Sequence, residues 1–229
     1  MNHALWHHGR MSVRVLILLA ALWCTSVRAG AFEDFFLAIK NDNAAAVKSL
    51  LDRGMDPNTI DPDGEPALIR GLRENALAVF DALLARPDID VNRQNSVAEN
   101  ALMVAAFRGR LDLVRKLLDR EADVNKTGWT ALHYAAAVGN NDIVALLLDK
   151  SAYIDAESPN HTTPLMMAAR GGHIRTVKLL LDEGADSSVK NEQGMTVLDF
   201  AEQHGQTEIV EGLKARARRD VERRLKPWK

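Results

Sequence analysis

The chain of 229 residues contains a single cysteine, Cys24. One thiol excludes a disulfide framework and any CxxC zinc or redox site. Aromatic residues are scarce, at 5%, while alanine and leucine are plentiful. That balance suits a helical protein with closely packed short helices. The formal net charge is only −2, so the basic footprint of a nucleic-acid-binding protein is absent. The apolar run Val15–Cys24 is ten residues long, about half of the roughly 20 needed to span a bilayer. Past residue 31 there is no HExxH, GxSxG, GxGxxG or Walker A sequence. A nucleophile–base pair or a metal-ligand set therefore has no signature here. No cofactor, metal site or enzymatic activity is expected.

The first 31 residues form a distinct segment. Arg10, Arg14 and Arg28 are its charged residues, with no acid among them, and the apolar run ends shortly before Ala29-Gly30-Ala31. This is the pattern of a secretory signal peptide with a small-residue cleavage site, after Ala29 or after Ala31. Translation from Met11 would give a more ordinary basic segment. Trp23 beside Cys24 departs from a lipoprotein box, and no Arg-Arg pair precedes the apolar run, which favours the general secretory route. Cleavage would leave 26 basic against 31 acidic residues and no cysteine. A cysteine-free mature chain suits an oxidising compartment, and the expected location is the periplasm, or outside the cell.

From Phe32 onward the chain repeats itself. Leu68, Leu102, Leu132, Leu165 and Leu198 recur at steps of 34, 30, 33 and 33, and Phe35 lies 33 before Leu68. Gly109, Gly139, Gly172 and Gly205 follow in phase. The clearest unit is Gly128-Trp129-Thr130-Ala131-Leu132-His133-Tyr134-Ala135-Ala136, continued by Asp142–Leu148. Thr130 is placed to cap a short helix, Gly139 to end it in the left-handed conformation, and a second amphipathic helix follows. Neither helix is long enough to be stable alone in water, so each unit needs its neighbours. Pro164 is placed at a first helical position, where its missing N–H costs nothing. Pro66 and Asn100 stand where Thr130 does in their own units.

Thr130-Ala131-Leu132-His133, Thr163-Pro164-Leu165-Met166, the paired alanines Ala135-Ala136 and Ala168-Ala169, and Gly184-Ala185-Asp186 resemble the motifs of the ankyrin repeat family. The resemblance spans residues 32–214 as about six units. It implies an all-α solenoid of helix–turn–helix units joined by short hairpin loops, with degenerate first and last units. It also implies a structural role for His133, hydrogen-bonded to a neighbouring repeat.

One connection departs from the rest. Ten residues separate the end of one unit from the next cap in four cases, but Asp123 and Thr130 are only seven apart. A notch in the row of hairpin fingers is expected there, with Trp129 at its edge. After the repeats, residues 215–229 form a basic tail that extends the last helix. Either the tail contacts anionic lipid or an acidic partner, or it is a solvated cap with cations at a helix C-terminus.

A solenoid offers an extended concave face instead of a closed pocket. The family resemblance places contacts on hairpin tips and on the exposed end of each first helix. In this chain the residues are Arg73, Glu99, Phe107, Arg108, Trp129, Arg170 and His204, with Glu65 and Met195 beside them. Phe107 and Trp129, flanked by Arg108 and Arg170, would form the anchor. The expectation is a monomeric, non-enzymatic module that binds a protein partner, an exported enzyme it protects or an effector it neutralises. The alternative is a peripheral membrane scaffold tethered by the basic tail.

Overall fold

The computed structural model describes residues 30–225; the apolar run and the segment up to Ala29 lie outside them, whereas the alternative cleavage point after Ala31 falls within the first described helix. Among the described residues there are twelve helices and no strand. Helix α1 covers residues 30–40. It is followed by α2 (Ala44–Asp52), α3 (Ala67–Arg73), α4 (Leu77–Leu84), α5 (Ala101–Phe107), α6 (Leu111–Leu118), α7 (Ala131–Ala137) and α8 (Asn141–Asp149). The remaining helices are α9 (Pro164–Arg170), α10 (Ile174–Asp182), α11 (Val197–Gln203) and α12 (Thr207–Leu225). They form six antiparallel pairs, an all-α solenoid as the repeat pattern requires.

Two layers follow from side-chain size. The seven-residue helices α3, α5, α7, α9 and α11 stack in register. Their alanines Ala101, Ala105, Ala106, Ala131, Ala135, Ala136, Ala168 and Ala169 are all buried and allow close approach. The second layer, α2, α4, α6, α8, α10 and α12, fills the space behind with Val47, Leu50, Phe80, Leu83, Val114, Leu117, Val144, Leu147, Leu180 and Ile209. No unit closes its own core; the buried side chains make one continuous cluster from Phe35 to Leu213. Stability is therefore a sum of unit and interface contributions along one dimension.

The helix starts vary with the residue available. Asn43, Asn100 and Asn140 each accept a backbone N–H at 3.0 Å. Pro66 makes no side-chain cap. That start is instead pinned by an isolated bridge between Ile60 and Pro66, in which Ala67 N–H donates to Thr59 O at 2.9 Å. At Thr130 the cap closes through the histidine three residues on. The Thr130 N–H donates to His133 Nδ1 at 3.2 Å, and the hydroxyl lies 2.9 Å from the same nitrogen. His133 Nε2–H then donates to Thr162 O of the next unit at 2.9 Å. One imidazole thus ends a helix cap and ties two units together. Burial, assisted by the charge of Lys126, pushes its pKa down to about 4 against the hydrogen bond to Thr162. The ring is neutral with its proton on Nε2.

Four fingers share one turn. Asp61, Asn95, Ser158 and Asn191 each donate a backbone N–H to the carbonyl four residues on and accept one from three residues on. Each also uses its side chain to accept the N–H of the residue four on. The third residue past each is left-handed, and it is Gly64, Ala98, His161 and Gly194 respectively. Neighbouring tips are linked by Ser96 N–H to Gly64 O and Glu192 N–H to Asn160 O, both 3.2 Å.

The short finger is different. Residues 123–129 contain none of these paired turn bonds; Lys126 Nζ instead donates to Thr127 O and Trp129 O, each at 3.1 Å. Burial lowers the Lys126 pKa, against the pull of Asp123. A side-chain ammonium thus takes the place of the missing turn, and Gly128, at φ +83°, sits next to the ring of Pro159.

Candidate concave binding face

Each inner-layer helix turns two positions toward the concave side: the residues two and five after the repeating leucine. Three residues apart on a helix, they share one face. The first row reads Arg70, Val104, Tyr134, Met167, Phe200, and the second Arg73, Phe107, Ala137, Arg170, Gln203. The rows change character midway.

At the N-terminal end they are ionic. Arg70 pairs with Asp61, with Asp63 at 2.8 Å and with Glu74 at 3.5 Å. Arg73 bridges Glu65 at 2.7 Å and Glu99 at 2.6 Å. Asn95 Nδ2 donates to both of these carboxylates, at 3.2 and 3.0 Å. The remaining Glu99 oxygen accepts the Tyr134 hydroxyl at 2.9 Å. Burial, the hydrogen bond to Glu99 and its charge push the Tyr134 pKa up to about 12. Arg108 donates to Arg73 O at 2.8 Å. Arg73, Glu99 and Arg108, expected as contacts, are thus bonded mainly to one another's neighbourhood. Their charges hold units two, three and four in register.

In the middle the face is aromatic. Phe107 is 55% exposed, and its ring meets the Tyr134 ring edge-on at 5.8 Å. Half-buried Trp129 packs edge-on against His133 at 5.2 Å and Tyr134 at 6.4 Å. Edge-to-face pairs of this kind fix ring orientation. Ala137, placed in the second row between Phe107 and Arg170, is too small to fill the space between them. The result is a hollow of about 260 Å3, with Phe107, Trp129, Tyr134 and Met167 as walls and Arg170 at the rim.

Beyond it the face is polar. A trough of about 290 Å3 shares Trp129, Met167 and Arg170 with the hollow and continues over Asn160, Asn191, Gln193, Gln203 and His204. His204 Nδ1–H donates to Phe200 O at 2.9 Å, and its ring stacks on Phe200 at 6.4 Å.

The structure therefore brings Phe107, Trp129 and Arg170 together. It ties Arg73, Glu99 and Arg108 into the neighbouring network and places His204 at the far end of the trough. Tyr134, Ala137 and Met167 escaped the sequence reading. The signal was available, since they occupy the same two repeat positions as Arg73, Phe107 and Arg170. Among the described residues no group of three or more His, Cys, Asp or Glu side chains is placed to hold a metal ion, and no helix is long and apolar enough to cross a membrane.

A family model described as ankyrin repeats (3 copies) matches residues 89–158 and 153–224. The ankyrin repeat protein YahD of Escherichia coli (strain K12) is 30% identical over 192 residues, covering 80% of this chain and 94% of YahD. Ankyrin repeat and KH domain-containing protein 1 of Homo sapiens is 37% identical over 113 residues, 47% of this chain. Its counterpart named mask, from Drosophila melanogaster, is 38% identical over 115 residues. The matches span only 4% and 3% of those two long proteins.

Proposed function

This chain belongs to the ankyrin repeat family, a family of protein–protein interaction modules, and from that premise we propose that it is an exported, non-enzymatic binding protein whose partner anchors in the hollow between Phe107 and Arg170. The observation that carries this reading is the exposed Phe107 ring beside half-buried Trp129 and Tyr134, lining a space that the small Ala137 leaves open. Interface energy concentrates where aromatic and arginine side chains surround a desolvated pocket. The ionic network on the N-terminal side gives that pocket a rigid border. Export to the periplasm rests on the signal-peptide pattern of residues 1–31. The partner is a protein of the same compartment, an enzyme that is protected or an effector that is neutralised, and the module acts as a monomer.

The experiment is capture of partners from a periplasmic extract by the wild-type chain and by a Phe107→Ala/Trp129→Ala double variant. The proposal expects a protein retained by the wild type and lost with the double variant. Equal retention by both would overturn the assignment of this face. N-terminal sequencing of the exported form tests cleavage after Ala29 or Ala31.

A further inference from the structure

The rows of the concave face differ in how their arginines are used. Arg70 and Arg73 are saturated by carboxylates. Arg170 occupies the same repeat position as Arg73, yet among the described residues it forms no ion pair; its backbone carbonyl accepts a bond from Gln206, and its side chain borders both the hollow and the trough. No carboxylate lines either space. A cation without a counter-ion, set at the rim of an apolar hollow, selects a ligand that is apolar and anionic at once.

The size and the spacing narrow that ligand. The hollow of about 260 Å3 takes one large side chain, and the adjoining trough of about 290 Å3, which shares Trp129, Met167 and Arg170 with it, takes the chain that carries that side chain. The anion must reach the guanidinium that borders the hollow holding that side chain. In an extended peptide the adjacent side chains face the other way, and those two positions off lie about 7 Å along the strand. An acidic neighbour therefore does not place its charge there, whereas the α-carboxylate of the same residue does. Arginine's planar fork matches a carboxylate bidentately. The amides of Asn160, Asn191, Gln193 and Gln203 lie beyond, where the preceding peptide backbone would run.

We infer that the concave face captures the C-terminus of a partner protein, with a large apolar last side chain in the hollow and the free α-carboxylate on Arg170. This rests on the assignment of the face made above and specifies its partner.

The test uses fluorescently labelled heptapeptide pools, randomised at the first six positions and ending in Leu or Phe. Each pool is made with a free C-terminus and as the amide, and binding to the full chain is read by anisotropy. The free-acid pools are expected to bind about ten-fold or more tightly than the amides, the scale of one charge-assisted hydrogen-bonded contact. Arg170→Gln should reduce acid binding to the amide level, and Arg170→Lys should restore part of the difference. Equal binding of acid and amide, no binding of either, or an acid preference that survives Arg170→Gln would each overturn the inference. Binding of N-acetyl-leucine as tightly as the peptides would overturn it too, in favour of a free small acid. If acid and amide bind alike but both are lost with Phe107→Ala/Trp129→Ala, the C-terminal inference falls and the face remains a binding surface. If the double variant changes nothing, the face itself is wrong.

Discussion

His133 makes the stability of this solenoid pH-dependent between about pH 4 and 6.5. Its ring is fully buried, accepts the Thr130 N–H on Nδ1 and donates from Nε2 to Thr162 O. Its pKa is held down at about 4, against about 6.5 in the unfolded chain. Between these values the unfolded state binds the proton and the folded state does not. Stability therefore rises with pH through the window, is complete above about 6.5 and is lost as the pH falls toward 4. The full difference is about 3 kcal/mol, of which about 2 kcal/mol falls between pH 7.5 and 5, above the range where most carboxylates titrate. Urea unfolding followed by circular dichroism at 222 nm, at half-unit steps from pH 5 to 7.5, reads this directly. The wild type should lose that amount on acidification. His133→Gln, less stable at pH 7.5 for want of its two ring bonds, should lose much less. Equal slopes for wild type and variant would refute the assignment of a neutral, buried, bridging imidazole.

Further expectations concern single side chains. Leu147, fully buried in α8, should cost about 2–5 kcal/mol as Leu147→Ala in the same urea assay. Ala98 is left-handed, at φ 62°, on an exposed fingertip, so Ala98→Gly should raise stability by up to about 1 kcal/mol, relief of strain outweighing chain entropy. Tyr134→Phe removes a hydrogen bond to Glu99 but no wall of the hollow. It should cost about 1 kcal/mol of stability, measured by urea unfolding.

The fold was largely legible because a helical repeat writes each instruction several times over. The leucine period placed every helix pair from α3 to α12, and the short Asp123–Thr130 spacing located the odd finger. The side-chain chemistry on the concave face was less legible, for a physical reason. Contacts such as Arg73 to Glu99 and Tyr134 to Glu99 link residues 26 and 35 apart in different units. They depend on how adjacent units register, which no single unit encodes. Read as isolated charges, Arg73 and Glu99 resembled free contact residues; stacked, they neutralise each other. Lys126 is similar, since nothing in its local sequence announces that its ammonium replaces a turn. Ala137 opens the hollow by being the smallest residue in its row, a role that the residue type alone does not announce.

That residue offers the most direct test of the central claim. Ala137→Leu adds volume into the hollow at a half-buried helical position, removes no existing contact and keeps good helix propensity. The affinity of the captured partner for this variant, measured by calorimetry alongside its unfolding curve, separates binding from folding. The account predicts a wild-type unfolding midpoint with a loss of affinity of at least about ten-fold. Wild-type affinity in a folded Ala137→Leu chain would contradict it.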